Sequence, residues 1–200
     1  MAHIRRRPFV VGAVSFVPGR AFAGADCTLQ RNLRHADLSN CDLSGANLRW
    51  GDLTGANLMG ADVTDANLSG ANLTHSNLSG ASLRHAIARE ATLSGANLQN
   101  TEIWNAILIE ANFRSANLTG ADLRNSNLAG AILSYADAIG ANLSCTNLGR
   151  ACLDGANLTR ADLAFSNLTH ARLRDTNLRD ASLRWAKRCG PPWMAQISAV

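Results

Sequence analysis

From Leu33 to Leu183 every fifth residue is leucine or a close substitute, and the interval never changes. Of the 31 positions in that series 26 are Leu, and the others are Val63, Ala88, Ile103, Phe113 and Ala138. Two residues before each of them except Leu33, which follows Arg31, stands a small residue, Ala in 22 of the 31 cases, with mostly Asn or Asp between them. A period of five rules out the two ordinary elements. In a helix, five steps of about 100° carry the apolar position around the axis. In a flat strand, the same step puts successive leucines on opposite faces. The chain must therefore turn inside every unit. Ala and Leu, two residues apart, point the same way from a short extended piece. The next two residues make a corner. Gly or Asn is frequent at its second position (Gly45, Gly60, Gly80, Asn100, Asn125, Gly140), as expected where some corners need φ > 0.

Ala56-Asn57-Leu58-Met59-Gly60 and Ala121-Asp122-Leu123-Arg124-Asn125 are typical units. Self-similarity at a short fixed period is the mark of a solenoid. Over about three quarters of its length the chain resembles the pentapeptide-repeat family. The resemblance implies an all-β fold, a right-handed quadrilateral parallel β-helix with four pentapeptides per coil and nearly eight coils. The leucine and the small residue before it would fill the interior. Coils would stack at about 4.8 Å, giving a rod of roughly 35–40 Å. On this reading residues 1–32 are an N-terminal cap or signal segment with an irregular first coil, 33–185 are the β-helix, and 186–200 are a C-terminal cap or tail.

Charge is unevenly placed. The formal net charge is +4, yet Leu33 to Leu183 holds 11 Arg against 14 Asp plus Glu. The positive excess belongs to the flanks: Arg5, Arg6, Arg7, Arg20, Arg31, Arg184, Lys187 and Arg188. A basic nucleic-acid groove is not expected, and no apolar run is long enough to span a membrane as a helix. Arg5–Arg7, the apolar stretch Phe9–Val17 and Ala21-Phe22-Ala23 fit an export signal cleaved after Ala23. The spacing of Val17, Phe22 and Cys27 by five fits a cap instead, with the protein staying in the cytoplasm. Both readings remain open. After Trp185, Cys189-Gly190-Pro191-Pro192 breaks the repeat, and the following apolar residues suit a cap or an end-on homodimer contact.

With four units per coil, residues twenty apart share a side. One side then carries Asp42, Asp62, Ser82, Glu102, Asp122, Asn142 and Asp162 before its leucines. The acidic members (Asp42, Asp62, Glu102, Asp122, Asp162) form a candidate ladder, which Arg84, Arg124 and Arg184 on the same side can offset. Asn and Asp in this slot also suit local turn hydrogen bonds. The next side runs Asn47, Asn67, Ile87, Ile107, Asn127, Asn147 and Asn167, so two isoleucines interrupt a row of Asn. With Ile109 and Trp104 beside them, Ile87 and Ile107 form a candidate partner patch, because contiguous exposed apolar surface marks interaction sites. Ile132, Tyr135 and Ile139 lie farther round. Outward apolar residues would thus concentrate in the middle coils. Ala88 and Ala138 leave room into which a neighbouring Ile could fold.

Catalytic chemistry finds no footing. The five His share no converging arrangement with Ser, Cys or Asp, the glycines follow the five-residue beat, and a convex rod offers few clefts. No metal set or cofactor motif is present, and the Cys form no CxxC pair. The expectation is a non-enzymatic scaffold with a protein partner of unknown identity. The family resemblance adds an alternative, a DNA mimic that binds a type II topoisomerase (DNA gyrase) and protects it from quinolone-type inhibitors. The mildly acidic solenoid departs from the strongly acidic surface that role uses. An exported structural protein is the third reading.

Overall fold

The structure is a computed structural model. It describes residues 32–187, together with the backbone of two short strands nearer the N-terminus, β1 (Phe9–Val11) and β2 (Val14–Phe16). These two pair antiparallel, Phe9 opposite Phe16 and Val11 opposite Val14. The alternatives for residues 1–23 otherwise lie outside the described residues, as does the expected C-terminal cap beyond Lys187.

From Asn32 onward the residue before each leucine forms a parallel bridge with the residue twenty positions later. The series starts at Asn32 with Asp52 and runs without a slip to Asn167 with Lys187. One turn of the chain therefore consumes four pentapeptides. Four sides follow, named here by their leucine positions: side A from Leu33, side B from Leu38, side C from Leu43 and side D from Leu48, each recurring every twenty residues.

The backbone hydrogen bonds explain why five residues suffice. Asn72 N–H donates to Gly51 O of the preceding coil at 2.8 Å, and Leu73 N–H to Thr92 O of the next at 2.7 Å. His75 N–H also reaches the next coil, at Ser94 O (3.0 Å), while Ser76 N–H closes the corner onto Leu73 O at 3.1 Å. The fifth amide, Thr74 N–H, donates to the Asn72 side-chain Oδ1 at 3.1 Å. Every donor of the unit thus has an acceptor. The Asn or Asp before the leucine is accordingly part of the corner, an Asx turn that takes the one amide the coils cannot reach.

All corners share one backbone feature. The second corner residue has positive φ at every fifth position from His35 to Trp185, between +53° and +69°. Only ten of these residues are Gly; the rest include Trp, Tyr, Phe, Glu and Arg. The sequence suggested that some corners need this conformation, and in fact they all do. Positive φ confined to the second central residue is the type II turn. The ladder above and below over-determines the backbone, so a penalty of about 1–2 kcal/mol per non-Gly residue is tolerated. Arg150, at φ +61°, makes no side-chain hydrogen bond or ion pair among the described residues. Arg150→Gly should therefore stabilise the protein by about 0.5–1 kcal/mol, the relief exceeding the extra unfolded-state entropy of Gly. A urea titration reads this as a higher midpoint.

Inside, the leucines and the small residues form the core predicted for them. All are buried between Leu53 and Leu168, whereas Leu48, Leu173 and Leu183 are half-buried. Hydroxyls in the small-residue slots find carbonyls: Ser76 Oγ donates to Leu73 O and Thr101 Oγ1 to Leu78 O. Ser166 Oγ is buried without a partner.

Candidate protein-interaction surface

The acidic residues of side C stack as one column, bridged from Asp42 through Asp62, Ser82, Glu102, Asp122 and Asn142 to Asp162. Four of the five acids are corner acceptors. Asp42, Asp62, Asp122 and Asp162 receive the amides of Ser44, Thr64, Arg124 and Ala164 at 2.9–3.2 Å. The Ser44 hydroxyl, more than its amide, holds the Asp42 carboxyl below the usual carboxylate range. Thr54 does the same for Asp52 on side A, hydroxyl first and then amide, with a smaller share from Arg34. Two arginines neutralise the middle of the column: Arg84 lies 3.7 Å from Glu102 and Arg124 lies 3.1 Å from Asp122. Arg184 makes no ion pair among the described residues. The column is thus a structural motif whose charge is partly compensated.

On side D, Ile87 and Ile107 are bridged to one another, between Asn67 below and Asn127 above. Ile109 sits on the corner that follows, and Trp104 on the corner that precedes. All four are half-buried. Stacking one coil apart covers each residue with its neighbours, so the patch is flatter than outward placement alone implied. Among the described residues the most exposed large apolar ones are Trp50, Met59, Ile132, Tyr135, Phe165 and Trp185, four of them at corners' second positions. They are spread along the rod, which corrects the expected concentration in the middle coils. A positive-φ corner throws its side chain outward, whereas the slot before the leucine lies flat between coils.

The corner of Trp104 is the irregular one. In every other corner from Leu33 to Ala186 the closing amide bonds the leucine-position carbonyl. At Ile103 to Ala106 the Ser126 hydroxyl of the next coil is inserted: Ser126 Oγ donates to Ile103 O at 2.7 Å and accepts from Ala106 N at 3.0 Å. Glu102 does not act as an Asx acceptor, so Trp104 N–H has no protein acceptor. The amides of Arg89 and Ile109 lack one too, because Ile87 and Ile107 replace Asn. The Trp104 ring is held between Arg84 (5.7 Å to the ring centre) and Arg124 (6.0 Å), with His85 edge-on at 4.8 Å. Such cation–π contacts contribute about 0.5–1 kcal/mol each at exposed sites. Sequence reading missed this packing and the Ser126 insertion; the slot of Arg84, Trp104 and Arg124, twenty apart, was the available signal.

Cys41, in a small-residue slot, is half-buried, and burial, with Asp37 nearby, pushes its thiol up. Cys145 lies exposed on a corner of side C, and Cys152 is half-buried on side A. Among the described residues no group of three or more His, Cys, Asp or Glu could hold a metal, and no helix is long and apolar enough to cross a membrane.

A sequence model of the pentapeptide-repeat family matches in eight copies, over residues 30–60, 66–105, 91–128, 121–160 and 156–187. Among solved structures the chain is similar to a pentapeptide repeat protein of the Arabidopsis thaliana thylakoid lumen. Identity there is 33%, over 45% of this chain and 59% of that one, with a TM-score of 0.37. It is similar to HetL of the cyanobacterium Nostoc sp. strain PCC 7120, a pentapeptide repeat protein involved in heterocyst differentiation regulation (30% identity, 80% of this chain, 92% of that one, TM-score 0.26). A third is QnrB1, a plasmid-mediated fluoroquinolone resistance protein (22% identity, 80% of this chain, 86% of that one, TM-score 0.34). The chain thus spans 59% of the length of the Arabidopsis protein and most of the other two. Pentapeptide-repeat proteins form right-handed quadrilateral β-helices. No curated protein matches the chain.

Proposed function

The chain belongs to the pentapeptide-repeat family, and from that premise we propose that it is a non-enzymatic scaffold that docks a protein partner on side D around Ile87 and Ile107. The observation that carries this reading is the break in the Asn row. Elsewhere on this side Asn147 and Asn167 link coil to coil through their side-chain amides, Nδ2 to Oδ1, at 3.0–3.1 Å. At Ile87 and Ile107 that polar seam gives way to an apolar step, flanked by Trp104 and Ile109, with turn amides left over to meet a partner. Trp and Arg side by side at a patch centre are the usual make-up of binding hot spots.

The acidic column supports a DNA-like surface for gyrase less well. Most of its carboxylates serve their own corners, and residues 32–187 carry 12 Arg, one Lys and 14 Asp plus Glu, one net negative charge.

The test is capture from an extract of the native host. Ile107→Lys and Trp104→Ala should each remove the specifically retained protein while far-UV circular dichroism stays unchanged. Gln99→Lys, on a side B corner, should retain it. Equal capture by all variants would end the assignment of side D.

A further inference from the structure

The corner column through Trp50, Gly70 and Glu90 contains a notch. Gly70 stands between two large neighbours, and a shallow hollow of about 260 Å³ opens there, with Ser69 and Gly70 as its floor and Arg49, Trp50, Asn67, Ile87, Arg89 and Glu90 around it. The six-membered ring of Trp50 lies against Gly70, close enough that a methyl group on Gly70 would overlap it. The ring is therefore seated, yet Trp50 remains 56% exposed. It gives the notch a flat apolar wall.

The remaining lining consists mainly of donors. Arg49 and Arg89 occupy the same corner slot two coils apart, about 9.5 Å of stacked backbone. Neither forms an ion pair among the described residues, although Arg34, Arg84, Arg124, Arg160, Arg172 and Arg179 all do. Asn67 Oδ1 is taken by the amide (3.1 Å) and hydroxyl (2.8 Å) of Ser69, and its Nδ2 donates to no acceptor among the described residues. The Arg89 amide is free because Ile87 offers no oxygen. Glu90 alone contributes a carboxylate, at the rim. Two guanidiniums, an amide and an indole face complement a carboxylate on a short stem, and the guanidinium fork fits carboxylates in bidentate fashion. The volume lies below the range of about 300–1,000 Å³ typical of small-molecule sites, so the notch accommodates side chains rather than a cofactor.

We infer that this notch receives acidic side chains from an extended segment of the protein that docks on side D. The inference rests on the docking reading, since Ile87 belongs to both surfaces. Continuity with the apolar step at Ile87 and Ile107 favours a protein segment over a nucleic-acid strand, whose phosphates would leave that step uncovered. The partner segment is accordingly acidic where it crosses Arg49 and Arg89, and apolar where it continues over Ile107.

The test follows the Trp50 indole N–H by NMR in the full-length protein, with Trp50→Phe assigning the signal. The probes are a short peptide of alternating Asp and Glu, its Asn–Gln counterpart, inorganic phosphate and a short oligothymidylate. The acidic peptide should shift the signal saturably with Kd of about 0.1–1 mM. Arg49→Glu or Arg89→Glu should weaken it about tenfold, and raising the salt toward about 0.5 M should weaken it further. No saturable shift, an equal shift with the neutral peptide, tighter binding of phosphate or oligothymidylate, or indifference to both charge reversals would overturn the proposal. Loss of partner capture by Ile107→Lys with no response to the acidic peptide leaves the docking surface standing and removes its acidic complement. A peptide response with capture unaffected by Ile107→Lys keeps the notch and removes the docking surface.

Discussion

Phe113→Ala is expected to cost about 3–5 kcal/mol, the range for deleting a fully buried aromatic side chain. Phe113 is the largest buried residue among those described and has no exposed surface. It occupies a leucine position on side A, between Leu93 and Leu133 in the same column. The backbone around it cannot collapse to fill the space. Phe113 N–H is tied to Ile132 O at 2.7 Å, and Asn112 is bridged to Thr92 below and Ile132 above. The coil spacing is fixed by those ladders, so most of the void persists. Damage in a linear array stays near its origin, because each coil contacts only its neighbours. The urea transition should therefore move to lower denaturant and broaden, as the two flanking stretches unfold less cooperatively. Phe113→Leu, which restores the common residue, should lose no more than about 1.5 kcal/mol. A loss below about 1 kcal/mol for the alanine variant would mean that the coils can close together after all.

The second large effect belongs to the corners. Gly70→Ala and Gly80→Ala start from nearly the same backbone, φ +66° and +64°. Each change places a Cβ in the left-handed region at about 1–2 kcal/mol, offset in part by the lower unfolded-state entropy of alanine. Around Gly80 a methyl group meets nothing within 4 Å; at Gly70 it collides with the Trp50 ring. Gly80→Ala should thus cost about 1 kcal/mol, and Gly70→Ala about 1–3 kcal/mol more, the range for overpacking. In a Trp50→Ala background the two glycine variants should converge. The double-mutant cycle isolates the ring–glycine contact, and a coupling energy near zero would show that the indole does not rest on Gly70. The same pairing recurs: His35 leans over Gly55, His75 over Gly95, Asn100 over Gly120 and Tyr135 over Gly155.

These pairs mark the limit of what the residues disclose. The period of five and the inward pair are plain in the sequence, because burial selects Leu and Ala at every unit. The step of twenty came from resemblance to a family, and the unbroken bridge series supports it. Corner geometry was only half visible. Gly is informative where it occurs, but Trp50 or Arg160 at positive φ gives no local signal. That conformation is imposed by hydrogen bonds to coils that lie twenty residues away in sequence. Trp50 and Gly70 look unrelated until the chain is written in rows of twenty, when they become a column. The Ser126 insertion resists even that treatment. Ser76 sits in an equivalent slot and bonds its own corner at Leu73 O, whereas Ser126 reaches back to Ile103 O. Thr101 likewise reaches the preceding coil, at Leu78 O, so the residue in the slot does not disclose which corner its hydroxyl will join.

The unslipping bridge between residues twenty apart also sets what kind of length change the molecule can survive with its surfaces intact. Deleting a single pentapeptide preserves the beat of five and leaves every leucine pointing inward. It nevertheless rotates everything downstream by a quarter turn. For a deletion between Ile87 and Trp104, Ile107 would then stand above side C instead of above Ile87, Trp104 would leave Arg84, and a corner residue whose glycine lies across the deletion would meet a new neighbour. A gain or loss of twenty residues does none of this. The natural unit of growth for such a chain is therefore the whole coil, and duplications or deletions in related chains that keep a shared docking side should come in multiples of four repeats.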